Sequence, residues 1–156
     1  MYAPRRMAEV RTTPMFQEST LAFPYKRSTG QTIGRFLAGL KEQQTIWGQR
    51  TGALGVVVPP LGYCEADGSE GGEWVEVASI GTVTAVAVVH APIAGLHPVD
   101  RPFAYVLVKL DGADTALAHL VTDDLDRVRV GSRVEAVWAP ERRGTILDIA
   151  CFRLVD

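Results

Sequence analysis

Along the chain the spacing of hydrophobic positions changes character from one segment to the next, and each change marks an element. Residues 1–27 carry Pro4, Pro14 and Pro24 among mixed charges with little periodicity, the pattern of an extended arm that is either free or laid along a partner. Ser28 and Thr29 then offer capping oxygens, and Ile33, Phe36, Leu37 and Leu40 follow at the i, i+3, i+4, i+7 spacing of one helical face. This predicts a helix over 29–43, inside a helical segment 28–45. Gly34 and Gly39 each cost it about 1 kcal/mol relative to alanine, so the helix needs a surface to pack on. That surface is either the chain's own barrel or another subunit.

From 46 to 72 glycines and the Pro59-Pro60 pair punctuate short apolar pieces such as Val56-Val57-Val58, which reads as a hairpin with loops. Beyond Gly72 the pattern turns to strands: Trp74–Ile80, Thr82–His90, Phe103–Leu110, Thr115–Val121, Arg133–Trp138 and Thr145–Leu154. The first two are expected to form one long strand bent about Gly81, and the acidic run 122–126 a single helical turn. Short strands with one such insertion and no long helix predict a mainly β chain, its 73–156 portion a five-stranded Greek-key barrel of the OB type. The strand from Thr82 to Val89 is small and apolar on both faces, unlike the half-polar Arg133–Val137, so something beyond the barrel is expected to cover it.

Composition narrows the class. With 156 residues, 47% hydrophobic, and 16 basic against 18 acidic side chains, the chain suits one compact soluble domain with an appendage. Two cysteines are too few for a disulfide framework, and no apolar h-region follows Arg5 and Arg6, so a cytoplasmic, reduced setting is expected. The longest apolar stretch, Val83–Val89, falls far short of the roughly 20 residues of a membrane helix.

Candidate chemistry is sparse. A rubredoxin-like ribbon needs four thiolate ligands on two loops, yet the four corresponding positions hold Thr51, Leu54, Cys64 and Asp67. Zinc binding is therefore not expected, nor any other cofactor, and the hairpin reads as a degenerate ribbon held by packing of Val56, Val57, Val58, Leu61 and Tyr63. His90, His97 and His119 are the bases available at neutral pH, but none sits in a nucleophile motif, and each reads as a surface or hydrogen-bonded histidine. Cys151, between Ala150 and Phe152, reads as a small buried hydrophobe. No glycine pattern for phosphates connects a strand to a helix. Residues 71–156 hold 8 basic and 12 acidic side chains, a balance of −4 that argues against tracking a nucleic-acid backbone. Arg127, Arg129 and Arg133 with Arg142 and Arg143 form a basic cluster that either meets an anion such as a coenzyme phosphate or is a solvated face balanced by Asp123, Asp124, Asp126 and Glu141.

The order of elements resembles a known family. Gly34–Leu40, Val58-Pro59-Pro60 with Cys64, Gly81-Thr82-Val83, Pro102–Tyr105, Val108–Asp114, Val128–Trp138 and Asp148–Arg153 together are similar to the thiolase-associated zinc-ribbon/OB-fold family, domain of unknown function thirty-five. The similarity spans about residues 28–156, and the ribbon ligands depart from it everywhere but at Cys64. The resemblance implies a non-catalytic accessory subunit of a thiolase-like or lipid-transfer-type aldolase acting on acyl-CoA thioesters, in lipid or steroid side-chain metabolism. It implies a hetero-oligomer in which the partner carries the catalytic residues, acyl-CoA is met only within the complex, and a hydratase is a further neighbour. Partner contacts are then expected at Phe36, Leu37, Leu40, Val58, Pro59, Pro60, Val86, Val88 and His90, and coenzyme contacts at Arg127, Arg129 and Arg133. The competing readings are a single-stranded nucleic-acid-binding OB protein and a free-standing acyl-CoA-binding protein or hydrolase.

Overall fold

The computed structural model describes residues 19–155. Of the expected arm, residues 1–18 lie outside the described residues, and 19–27 run without helix or strand and are exposed throughout. Helix α1, Gly30–Ala38, begins where the Ser28 hydroxyl accepts the Gly30 N–H at 3.1 Å. It widens into a π-helical turn, Gly39–Gln43, that Gln44 ends in left-handed conformation, its φ being 54°. Gly39 is required there, because the Trp47 indole lies where its Cβ would be. The helix-breaking residue is thus the one that lets helix and first strand close up.

Two sheets follow. β1 (Ile46–Thr51) pairs antiparallel with β2 (Gly55–Val57) and with β3 (Trp74–Val77), giving a small sheet in the order β2-β1-β3. Strands β4 (Ile80–Val89), β5 (Phe103–Leu110), β6 (Leu117–Val121), β7 (Arg133–Trp138) and β8 (Ile149–Leu154) close a barrel in the order β4-β5-β6-β8-β7. Its contact between β6 and β8 is parallel, through Val121 and Phe152, and its other pairings are antiparallel. This is the expected OB-type barrel. β5 shows why the pattern was readable: its residues alternate buried and exposed from Ala104 to Leu110.

Three expectations are corrected. Trp74–Val77 does not continue into the barrel strand: it pairs with β1, and the chain turns at Ala78-Ser79 before β4 begins. The acidic run makes no helix but a tight turn, in which the Asp124 carbonyl accepts the Arg127 and Val128 N–H groups at 2.9 and 3.2 Å. Thr145–Leu154 divides into a 3-10 turn, Ile146–Asp148, and β8, because Asp148 folds back to accept hydrogen bonds from the loop before it.

One core joins the parts. Phe36 of α1, Leu40 of the π-helical turn, Ile46, Val56 and Val58 of the hairpin, and Val77 pack in the same buried cluster as Val83, Val106, Val108, Val134 and Phe152 of the barrel. Burying a side chain of this size contributes about 1.5–3 kcal/mol, which outweighs the cost of the helix glycines. Polar bonds fasten the seam: the Thr115 hydroxyl accepts the Val58 N–H at 2.8 Å and donates to the Val58 carbonyl at 3.1 Å. Among the described residues, no helix is long and apolar enough to cross a membrane.

Candidate interaction surfaces

The packing reassigns several residues expected at a partner interface. Phe36, Leu40, Val58 and Pro60 are buried within the chain itself, so they have no face left to offer. The reason is the one core just described: the helix covers its own hairpin and barrel. Leu37 and Pro59 are half-buried, Val86 is half-buried, and Val88 and His90 are exposed. The expected set therefore separates into core residues and two surfaces, one on the helix and hairpin and one on β4.

The hairpin surface is shaped by its own hydrogen bonds. In the first loop the Thr51 hydroxyl accepts the Leu54 N–H at 3.3 Å and donates to the Gly55 carbonyl at 3.3 Å. In the second, the Cys64 carbonyl accepts the Gly68 N–H at 2.8 Å, the Cys64 N–H donates to the Ser69 carbonyl at 2.7 Å, and Asp67 accepts the Ser69 N–H and hydroxyl at 3.0 and 2.7 Å. The Ser69 hydroxyl and N–H, with Cys64, hold the Asp67 carboxyl below its ordinary value. Of the four ligand positions, Cys64 is fully buried, Thr51 is buried, and Leu54 and Asp67 are exposed. Among the described residues no group of three or more His, Cys, Asp or Glu side chains is placed to hold a metal ion. Leu61 and Tyr63, expected to pack inside the hairpin, instead expose 39% and 51% of their surface.

The β4 surface comes from a strand that outruns its barrel. Val83 is the last buried residue of β4, and none of Thr84–Val89 is buried. β7 leaves the edge of β4 early: their register ends at Thr82 opposite Arg133, with further backbone bonds from Val83 to Gly131 and Ser132. Beyond that point Thr84–Val89 pairs only with β5 among the described residues, so one edge is open and both faces are partly exposed. On the outer side, Ala85 and Ala87 with Tyr105, Leu107 and Ala118 line an apolar groove of about 290 Å³. It runs on past His119 into a second hollow of about 360 Å³ lined by Leu96, His97 and Leu147.

The histidines are dispersed. His90 is exposed at the end of β4, and the His97 Nδ1 accepts the Ile93 N–H at 2.7 Å while its ring meets Phe103 edge-on. His119 is buried, its Nε2 lies 3.3 Å from the Ile146 carbonyl, and its Nδ1 has no hydrogen-bond partner. A carbonyl only accepts, so Nε2 carries the proton and Nδ1 the lone pair. Burial pushes this imidazole below its ordinary value, keeping it neutral. The sequence signal available for His119 was its position two residues before Val121 in an apolar strand, which marks it as inward-facing but names no partner.

Arg127, Arg129 and Arg133 do come together, lining a polar hollow of about 210 Å³ with Ser132, Leu154 and Val155. Arg133 is engaged within the fold: it forms a bidentate pair with Asp111, and its Nη1 also donates to the Thr82 hydroxyl at 2.9 Å. That hydrogen-bonded pairing holds the Asp111 carboxyl low and the Arg133 guanidinium high. Arg127 lies 4.0 Å from Asp124. Cys64 and Cys151 are both free thiols, Cys151 being half-buried as against the burial expected.

Residues 74–139 match the family described as the ChsH2 C-terminal OB-fold domain. No curated protein matches the chain. Among solved structures, it is similar to the protein described as Ltp2-ChsH2(DUF35) aldolase, with 23% identity, a TM-score of 0.58, and coverage of 83% of this chain and 95% of that one. A protein of unknown function from the DUF35 family of Sulfolobus solfataricus is similar at 22% identity and a TM-score of 0.55, over 70% of this chain and 79% of that one. At these identities the two structures speak for the fold, and residues 74–139 of this chain are similar to the ChsH2-type C-terminal OB-fold domain.

Proposed function

We propose that the chain is a non-catalytic accessory subunit of a thiolase-like or lipid-transfer-type aldolase enzyme acting on acyl-CoA thioesters. The observation that carries this reading is the hairpin. Its two loops are closed by hydrogen bonds of their own, and it holds Leu54, Leu61 and Tyr63 at 36%, 39% and 51% exposure. Such a shape, without a thiolate set, suits docking better than metal chemistry. The likeness to the ChsH2-containing aldolase supports the same reading.

In this proposal Leu54, Leu61 and Tyr63, with half-buried Leu37 and Pro59, meet the enzyme subunit, while Val86, Val88 and His90 belong to a second partner surface. The accessory chain stabilises the enzyme and helps form its CoA-ester channel, with Arg129 and Arg133 beside Arg127 facing the coenzyme phosphates only in the complex. A hydratase is a further candidate neighbour, and lipid or steroid side-chain metabolism the setting. Guanidinium groups are suited to phosphate, but Arg133 would have to share its fork with Asp111, so this contact is the secondary part of the proposal.

Co-expression with a thiolase-fold aldolase subunit tests the reading. The two should co-purify in equal amounts, and Leu61→Asp with Tyr63→Asp should abolish this while leaving the chain folded. Recovery of the enzyme without this chain, with both proteins soluble, would overturn it.

A further inference from the structure

Two features of this chain are unfinished in complementary ways. The first is the arm. Leu21, Phe23 and Tyr25 expose 81%, 72% and 82% of their surface. They recur at every second residue, so in an extended segment they share one face. Pro24 fixes the parity. A strand residue turns its N–H and carbonyl to one edge and its neighbours to the other, so if Leu21, Phe23 and Tyr25 face a partner strand, Pro24 faces solvent and its missing donor costs nothing. The segment is written as an edge strand.

The second feature is the open edge of β4 over Thr84–Val89, with no backbone partner on that side among the described residues and no buried side chain. An apolar edge of this length is a template for one more strand. Natural sheets guard such an edge with lysine or proline, and this one has neither.

Charge indicates where the added strand comes from. Residues 1–27 hold five basic and two acidic side chains, a balance of +3, whereas 28–156 hold eleven basic and sixteen acidic, a balance of −5. The arm is thus attracted to a body like its own, but its apolar side chains are not laid on its own body. We infer that Leu21, Phe23 and Tyr25 of one copy add as a strand to the Thr84–Val89 edge of β4 in a second copy, with the exchange returned to make a twofold dimer. Area supports a reciprocal exchange: three such side chains bury on the order of 500 Å² per arm, so two arms with their backbones come near the lower limit of a specific interface, about 1,200 Å². Closed symmetry also uses up both edges and leaves none to propagate. This goes beyond the accessory-subunit reading: it makes a second copy of this chain the partner at the β4 surface of Val86 and Val88, and it does not depend on an enzyme docking at the hairpin.

Sedimentation of the purified full chain at micromolar concentration tests the inference. The wild type should be a dimer that loosens as salt rises, and Leu21→Ser/Phe23→Ser/Tyr25→Ser should weaken it roughly 100-fold or more while the circular dichroism of the folded chain stays unchanged. Val88→Lys, which guards the edge without touching the arm, should weaken it comparably. An equimolar mixture of the arm variant and the edge variant should recover part of the association, because one intact arm then meets one intact edge. A monomeric wild type, an arm variant that dimerises normally, or a mixture no better than its components would each overturn the dimer. Loss of the enzyme subunit rather than of the second copy from the arm variant would do so too, by assigning the arm to the enzyme.

Discussion

Asp114 and Val56 are joined twice: the Asp114 carboxylate accepts the Val56 N–H at 2.8 Å, and the Asp114 N–H donates to the Val56 carbonyl at 2.8 Å. This clamp fixes the hairpin to the barrel across 58 residues of sequence. Gly55 makes room for it, since a Cβ there would strike the Asp114 carboxylate and its φ of 73° is one that other residues avoid. Asp114→Ala leaves the buried Val56 amide unpaired and should cost about 2 kcal/mol, read as a lower denaturant midpoint. Gly55→Ala should destabilise by a comparable amount or more, by strain and by opening the same clamp.

Asp148 gathers the loop before β8. It is almost fully buried and accepts the Arg143 and Gly144 N–H groups at 2.8 Å each, with the Thr145 hydroxyl at 3.4 Å. Burial alone would raise its carboxyl, but these donors together outweigh that and hold it below the ordinary value. A carboxyl depressed in the fold stabilises above its unfolded value and stops doing so as pH falls through the folded one. Asp148→Ala should therefore cost about 3 kcal/mol at pH 7, and the gap between variant and wild type should shrink in strongly acidic urea titrations.

His119 gives a different pH window. Its imidazole is kept neutral by burial, so its contribution is complete above the unfolded value near 6.5 and is lost as pH drops from there towards the lower folded value. Wild-type stability should decline between pH 7 and pH 5, and His119→Leu should flatten that decline. An equal slope in both proteins would place the titration elsewhere.

The hairpin offers a constructive test of its ancestry. If the loops at Thr51–Leu54 and Cys64–Asp67 keep ribbon spacing, Thr51→Cys/Leu54→Cys/Asp67→Cys supplies three thiolates beside the native Cys64. That variant should take up zinc and melt at a higher temperature with metal than without, whereas the wild type should show no such difference. Failure of the folded variant to bind zinc would mean that the loops have lost the ribbon geometry.

The fold was legible where local pattern and burial agree. β5 and β7 appear with the bounds their alternation indicated, because one face of each packs on the core. Trp74–Val77 was legible as a strand but not as a partner of β1, since pairing is a tertiary choice among several apolar strands. Apolar spacing likewise found the helix face of Phe36 and Leu40 without saying whose core it fills. Of the interaction surfaces, the two-faced character of Val83–Val89 was visible in the residues. The open edge was not, because it depends on where β7 stops. The arm's Leu21, Phe23 and Tyr25 alternate plainly, yet Pro24 hides them from a strand pattern.

In the proposed role, the chemistry resides in another chain. Turnover of acyl-CoA thioesters, followed as carbon–carbon bond cleavage or formation, tests this most directly, measured with this chain alone, with the proposed thiolase-fold partner alone, and with the two together. This chain alone should show no turnover, and the pair should turn over well above the rate of the partner alone. Turnover by this chain alone, or a pair no faster than the partner, would contradict it.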